Sequence, residues 1–202
     1  MAVPLTGLRR RLQLTPLLVP LLVLLAAGAG MLAVAWWART AVVILVPHAE
    51  ATPSDTGDPD LNAAGESRAS RLGSFLADAL PGRVVDHVYA ANARRSQQTA
   101  VSVANQFKLP INLLGGSDWG DLAGRLRREH RGSTVVVIGP ADALRGLADR
   151  LGAGALPLAD DDHGSVYVLV SPRPGEARML RLRYGEPATT RVPGSSGLSK
   201  SQ

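Results

Sequence analysis

Strand-like and helix-like segments alternate along the chain after residue 40. Residues 42–46 form an uninterrupted β-branched and aliphatic run, which is typical of a strand buried on both faces of a parallel sheet. Residues 134–138 repeat this pattern, and shorter strands are predicted at 84–89 and 111–114. Two more strands, at 166–170 and 177–184, are expected to pair with each other near a sheet edge.

Four amphipathic segments lie between these strands and are predicted to be helices. They cover residues 62–80 with Asn62 as N-cap, 93–107, 118–130, and 140–151 with Pro140 in the first turn. The apolar side chains expected in the core of the first two are Leu72, Phe75, Leu76, Ala79, Ala100, Val101, Val103 and Ala104. Interleaved strands and helices predict a three-layer α/β/α domain with a mostly parallel sheet.

An apolar segment precedes this domain. No charged residue occurs from Leu12 to Ala38, and residues 17–37 are long enough as a helix to cross a bilayer of about 30 Å. Three arginines at positions 9–11 precede it and Arg39 follows, so the positive-inside rule predicts a cytoplasmic amino terminus. A cleaved signal peptide is the alternative, because residues 33–35 have a small-x-small form, but the apolar run is longer than usual for one. Both alternatives place the domain outside the cytoplasm.

These patterns divide the chain into three parts. We expect a basic segment and membrane anchor at 1–39, an α/β domain at 40–186 and a disordered Pro-, Gly-, Ser- and Thr-rich tail at 187–202. The sequence pI of about 10.4 does not indicate a nucleic-acid partner, because residues 40–202 carry 18 basic and 17 acidic residues, interspersed. The chain has no cysteine and therefore needs no disulfide in an oxidising compartment.

One histidine, His48, follows the apolar strand at 42–46, where parallel sheets place their ligand sites. The motifs around and after it are Leu45-Val46-x-His48-Ala49-Glu50, Asp58-Pro59-x-Leu61-Asn62-x-x-Gly65-x-x-Arg68-Ala69, Asp86-x-Val88-Tyr89, Arg95-x-x-Gln98-Thr99-Ala100, His130-Arg131-Gly132-x-Thr134-Val135-x-Val137-x-Gly139, Asp161-Asp162-x-Gly164 and Arg181-Leu182-Arg183-Tyr184-Gly185. In this order, over about residues 40–186, they resemble the histidine phosphatase superfamily, which has the phosphoglycerate mutase-like fold.

The resemblance implies a histidine nucleophile that forms a phosphohistidine, with two arginines and a second histidine on the phosphoryl oxygens and a carboxylic acid for the leaving group. His48 matches the nucleophile and Arg95 the second arginine. Where the resemblance implies the first arginine and the second histidine, this chain has Pro47 and Pro140. Alanines at 90–91 replace a serine pair, and Ser54 stands where an asparagine is common.

The general acid has no clear match, since Glu50 and Asp118 are merely carboxylates nearby in the sequence. Losing one preorganised donor to a developing oxyanion typically costs about 10²- to 10³-fold in rate, and two cationic groups are replaced here. We therefore expect an exported, membrane-anchored pseudophosphatase that binds a phosphorylated ligand or a protein partner, with phosphate held by Arg95 and His48. A weak phosphomonoesterase acting through His48 and a structural partner domain without ligand are the alternatives.

The remaining candidate residues are expected to serve structure. Arg94 is predicted to be solvated, and His87 and His130 to be structural. His163 follows three aspartates at 160–162, which suggests a metal site with His48 and Glu50. An acidic run in a loop is usually solvated, and the matching family position often carries tyrosine, so we expect neither a metal nor a cofactor.

Overall fold

The computed structural model describes residues 15–37, 40–53, 57–171 and 177–185. Its helices and strands, in chain order, are α1 (Thr15–Trp37), β1 (Ala41–Pro47), α2 (Ala63–Ala79), β2 (His87–Ala91), α3 (Arg94–Phe107), β3 (Ile111–Leu114), α4 (Asp118–Arg128), β4 (Thr134–Gly139), α5 (Ala141–Arg150), β5 (Ser165–Ser171) and β6 (Arg178–Arg183). The chain divides into two compact units, Met1–Arg39 and Thr40–Gln202. The tail predicted at 187–202, the arginines at 9–11 and Arg39 lie outside the described residues.

The first unit contains α1, a helix of 23 residues. Its span Leu18–Ala35 has a mean hydropathy of 2.4, and none of that span is buried. A helix of this length extends about 35 Å, which suffices to cross a bilayer. By length and composition, α1 is therefore a candidate membrane span, near the amino terminus where a signal sequence would also lie.

The second unit is built around one six-stranded sheet with the order β3-β2-β4-β1-β5-β6. The pairs β2/β3, β2/β4 and β1/β4 are parallel, whereas β5 pairs antiparallel with β1 and with β6. The mostly parallel sheet and the pairing of the last two strands at an edge are thus confirmed. Strands β1 and β4 lie at the centre, which explains why both are apolar on both faces.

Helices cover both faces of this sheet, so the predicted three layers are confirmed. Alternate residues of β1 enter two separate clusters: Val43 and Leu45 pack with α4 and α5, whereas Ile44 and Val46 pack with α2 and α3. This division follows from the two-residue period of a strand. The parallel pairing of β1, β4 and β2 brings the carboxyl ends of these three strands to one edge of the sheet.

Three predicted details are wrong. Strand β2 starts at His87, where its pairing with Val135 of β4 begins, and it ends at Ala91, which pairs with Leu114 of β3. Val101 is 47% exposed and lies outside the core. Pro140 is the N-cap of α5 and lies outside its first turn, with an extended backbone, since β4 runs to Gly139.

Candidate active site

The register of the two central strands determines the surroundings of His48. Pro47 is the Cα partner of Gly139 across β1 and β4, and the amide of His48 donates to the carbonyl of Gly139 at 3.2 Å. His48 and Pro140 therefore leave neighbouring strands side by side at the carboxyl edge of the sheet. This edge is where parallel sheets place ligand sites.

The ring of His48 is held in one orientation by its own main chain. Nδ1 lies 2.9 Å from the carbonyl oxygen of Ala49, and because a carbonyl only accepts, Nδ1 carries the hydrogen. Burial lowers the pKa of His48 below its usual value, and the charges of Arg95 and His163 act in the same direction against the bond to Ala49. The neutral ring thus has its lone pair on Nε2, the form that a nucleophile requires.

Arg95 is carried to this histidine by the first turn of α3. The hydroxyl of Thr99 accepts from the amide of Ala49 at 3.0 Å and donates to the carbonyl of Arg95 at 2.7 Å. Thr99 is fully buried, so this link between β1 and α3 is shielded from water. The guanidinium of Arg95 has no ion pair within the described ranges, and its charge acts on His48.

Gln98 joins the loop after His48 to α3. Its side-chain oxygen accepts a hydrogen bond from the main-chain amide of Leu61 at 2.9 Å, and its side-chain amide donates to the carboxylate of Asp60 at 2.7 Å. Asn62 then caps α2, as predicted, by accepting from the amide of Gly65 at 2.9 Å. These hydrogen bonds therefore connect the segment at residues 58–62 to the first turns of α3, which carry Arg95. Ser54 lies outside the described residues.

Neither nearby carboxylate is placed as a general acid. Glu50 pairs with Arg68, whose Nη2 lies 2.6 Å from Oε1, and these hydrogen bonds hold the pKa of Glu50 below its usual value. A proton donor for a leaving oxygen needs the opposite shift. Asp118 accepts from the amide of Gly115 at 2.7 Å at the start of α4, where it closes a turn.

Apolar groups occupy the positions beside His48 where the resemblance implies polar ones. Pro47 is buried, and Ala90 and Ala91 are 0% and 6% exposed at the end of β2. The indole of Trp119 fills the space next to Gly139, since a Cβ on that glycine would lie 2.6 Å from the ring. On this side of His48 the described site offers carbon surface and no cationic side chain.

His163 enters the site from the other side; the sequence grouped it with His48 only as a metal site that was not expected, and its role as a neighbour of His48 was not predicted. Its Nδ1 lies 2.8 Å from the main-chain oxygen of His48, and the two ring centroids are 5.4 Å apart. A cavity of about 560 Å³ adjoins it, lined among others by Asp161, Arg181 and Arg183. The signal in the sequence was the position of His163 just before the strand at 166–170, but nothing local placed that strand beside β1.

The suggested metal site at the three aspartates does not assemble within the part of the chain that the structure describes, where no group of three potential ligands comes together. Asp162 instead pairs with Arg181 at 2.7 Å, and Asp160 pairs with Arg145 at 2.9 Å. Arg94 is exposed as predicted and pairs with Asp60 at 3.0 Å.

His87 and His130 lie at the opposite edge of the sheet and take no part in the site. Their ring centroids are 4.2 Å apart, and Nε2 of His130 lies 2.9 Å from the hydroxyl of Tyr89. Burial lowers the pKa of His130 below its usual value, and the nearby His87 adds to that shift.

Comparison with known proteins places the domain. Residues 43–171 match the model of the histidine phosphatase superfamily (branch 1). The protein histidine phosphatase SixA, solved with tungstate, superposes with a TM-score of 0.58 at 17% identity, over 70% of this chain and 96% of that one. Phosphoglycerate mutase from Plasmodium falciparum superposes with a TM-score of 0.50 at 18% identity, over 73% of this chain and 91% of that one. Mycobacterial hydrolase 1 superposes with a TM-score of 0.52 at 14% identity, over 74% of this chain and 100% of that one. A search of curated proteins finds no match. At these identities the structures establish the fold alone.

Proposed function

The chain belongs to the histidine phosphatase superfamily (branch 1), and from that premise we propose that it is a membrane-anchored pseudophosphatase that binds a phosphorylated ligand or partner. Its domain would lie on the extracytoplasmic side of the membrane, held by α1. The anion would be bound by Arg95 and His48, with turnover slow or absent.

One observation carries this proposal. Pro47 pairs with Gly139 across β1 and β4, and Pro140 directly follows Gly139, so both prolines lie beside His48. The two positions that lack a cation flank His48 on the same edge of the sheet, so no side chain there neutralises the charge that develops in phosphoryl transfer. Proline also lacks a backbone N–H, so the main chain at these positions cannot substitute as a donor. Arg95 is retained and held by Thr99, which supports binding rather than chemistry.

A specific feature of His48 favours the second candidate, a weak phosphomonoesterase. Its Nδ1 bond to Ala49 and its lowered pKa leave Nε2 unprotonated, as a phosphohistidine mechanism needs. In that mechanism Nε2 would attack phosphorus, the leaving alkoxide would take a proton from water or an acid, and water would then hydrolyse the phosphohistidine. Without the flanking cations we expect the first step to be slow.

The deciding experiment is hydrolysis of a generic aryl phosphate by the full-length protein in detergent, with His48→Ala as the control. We expect equal, background rates for both proteins. A His48-dependent rate on the order of 1 s⁻¹ would establish the phosphomonoesterase instead.

Binding is tested separately through the melting temperature in millimolar phosphate or sulfate. An anion that binds the folded protein should raise the melting temperature by mass action. The rise should be lost in Arg95→Ala but kept in Arg94→Ala, because the guanidinium of Arg94 pairs with Asp60 in the wild-type protein. If neither anion has an effect, the structural partner domain becomes the better proposal.

The orientation is tested with reporters fused after Gly185. A reporter active only outside the cytoplasm should be active there, because the arginines at 9–11 favour a cytoplasmic amino terminus. Activity of a cytoplasmic reporter at the same site would reverse the orientation. A membrane-bound band of full-length mass supports the anchor over a cleaved signal.

A further inference from the structure

We propose that His163 is a second anion-binding imidazole of this site, which supplies from the loop before β5 the cationic group that Pro140 does not supply after β4. The ligand class is a doubly charged tetrahedral oxyanion, the terminal group of a phosphomonoester. This inference rests on the proposed function of His48 and Arg95 as an anion site.

The first support is the position of His163 in the sheet. Strand β1 has β4 on one side and β5 on the other, and His163 lies in the loop just before β5. Its Nδ1 is 2.8 Å from the oxygen of His48, and the rings are tilted by 36° with centroids 5.4 Å apart. A tetrahedral oxyanion bound at His48 on that side would have His163 as its neighbour.

The second support is the hydrogen bonding of both rings. Each Nδ1 faces a main-chain oxygen, that of Ala49 for His48 and that of His48 for His163. Because those oxygens only accept, each Nδ1 carries a hydrogen, and Nε2 is left as the nitrogen available to a ligand. Nε2 can donate to an oxyanion only when its ring is protonated. Anion binding should therefore take up protons.

The surrounding charges favour an anion over a metal ion. The cation Arg95 acts on His48 from α3. Two of the carboxylates near His163 are engaged by arginines: Glu50 of the segment after β1 with Arg68 of α2, and Asp162 with Arg181 of β6. The titratable and charged groups around His163 are His48, Glu50, Arg68, Asp161, Asp162, Arg181, Arg183 and Tyr184. A protonated His163 thus adds positive charge to a site whose nearby acids are mostly neutralised.

The test measures sulfate affinity of the full-length protein in detergent by calorimetry between pH 5.5 and 7.5. Sulfate stays doubly charged across this range, so any pH dependence comes from the protein. We expect the wild-type protein to bind sulfate at least about tenfold more tightly at pH 5.5 than at pH 7.5. The binding heat should depend on the buffer, because binding takes up protons.

The informative variant is His163→Asn, whose side-chain amide retains a donor for the oxygen of His48 but cannot be protonated. We expect it to lose roughly tenfold in affinity at pH 5.5 and little at 7.5, with less proton uptake. His87→Asn, the same change at the opposite edge of the sheet, should behave like wild type. If wild type binds sulfate and His163→Asn matches it, or loses the same factor at every pH, this inference is wrong while the anion site stands. If wild type binds no sulfate, the proposed function fails as well.

Discussion

The carboxylate of Glu50 and the guanidinium of Arg68 form a forked ion pair, with Nε 2.9 Å from both carboxylate oxygens and Nη2 2.6 Å from Oε1. Arg68 also donates from Nη1 to the carbonyl of Tyr184 at 3.2 Å. One side chain of α2 therefore connects the segment after His48 with the segment after β6. Both partners are about three-quarters buried, so the pair is less screened than a surface pair.

The first prediction concerns this pair. Glu50→Gln should lower the free energy of unfolding at pH 7 by about 1–3 kcal/mol, because a charge-assisted bond and a matched charge are lost. The pKa of Glu50 is lowered in the fold, so its stabilisation is complete above its ordinary value of 4.5 and is lost as pH falls through the folded value. Denaturant unfolding between pH 3 and 7 measures both effects. Asp160→Asn, which breaks an exposed pair with Arg145, should cost less than about 1 kcal/mol, and equal costs would contradict the argument.

The second prediction follows from the buried His130. Its pKa and that of His48 are lowered, so below the ordinary value of 6.5 the unfolded chain takes up protons that the fold does not. The free energy of unfolding should therefore fall as the pH drops from 6.5 toward the pKa values of the folded protein. Each histidine contributes at most about 1.4 kcal/mol for each pH unit. His130→Gln should show a shallower slope than wild type in anion-free buffer, and an unchanged slope would disprove the assignment.

A third prediction uses two helical glycines. Gly65, in the first turn of α2, packs directly on the carbonyl of Glu50, where a Cβ would overlap the main chain. Gly65→Ala should destabilise the domain by about 1–3 kcal/mol, because backbone on both sides must shift. Gly146→Ala on α5 is the matched control, since its Cβ would meet nothing within 4 Å, and it should stabilise by about 0.5–1 kcal/mol. Thermal unfolding of the two variants should therefore shift in opposite directions.

The fourth prediction tests the missing cations. Pro47→Arg with Pro140→His should produce at most partial phosphomonoesterase activity, because Ala90 and Ala91 offer no hydroxyls and Glu50 has a lowered pKa. Steady-state hydrolysis of an aryl phosphate measures this, with the same pair of changes combined with His48→Ala as the blank. A double variant that reaches ordinary enzyme rates, on the order of 10 s⁻¹, would mean that the prolines alone silence the site.

Much of the fold was predictable because its signals are local. The apolar run at 42–46 predicts a strand buried on both faces, and the structure has it at the centre of the sheet. Asn62 predicts the start of α2 because an N-cap acts within three residues. The position of His48 at the end of β1 follows from the same run. The apolar character of α1 is likewise visible in the sequence, because its apolar residues form one continuous segment.

Tertiary structure decided what depends on distant partners. Ala90 and Ala91 have weak strand preference, yet they extend β2 because they pair with Leu113 and Leu114 of β3. Glu50 meets Arg68 across 18 residues, and His163 meets His48 across 115. No periodicity or cap signal acts over such a separation. The sequence by itself thus determined the central strands, the N-cap of α2 and the position of His48 at a strand end, whereas only the antiparallel pairing of β5 with β1 decided which imidazole lies beside it.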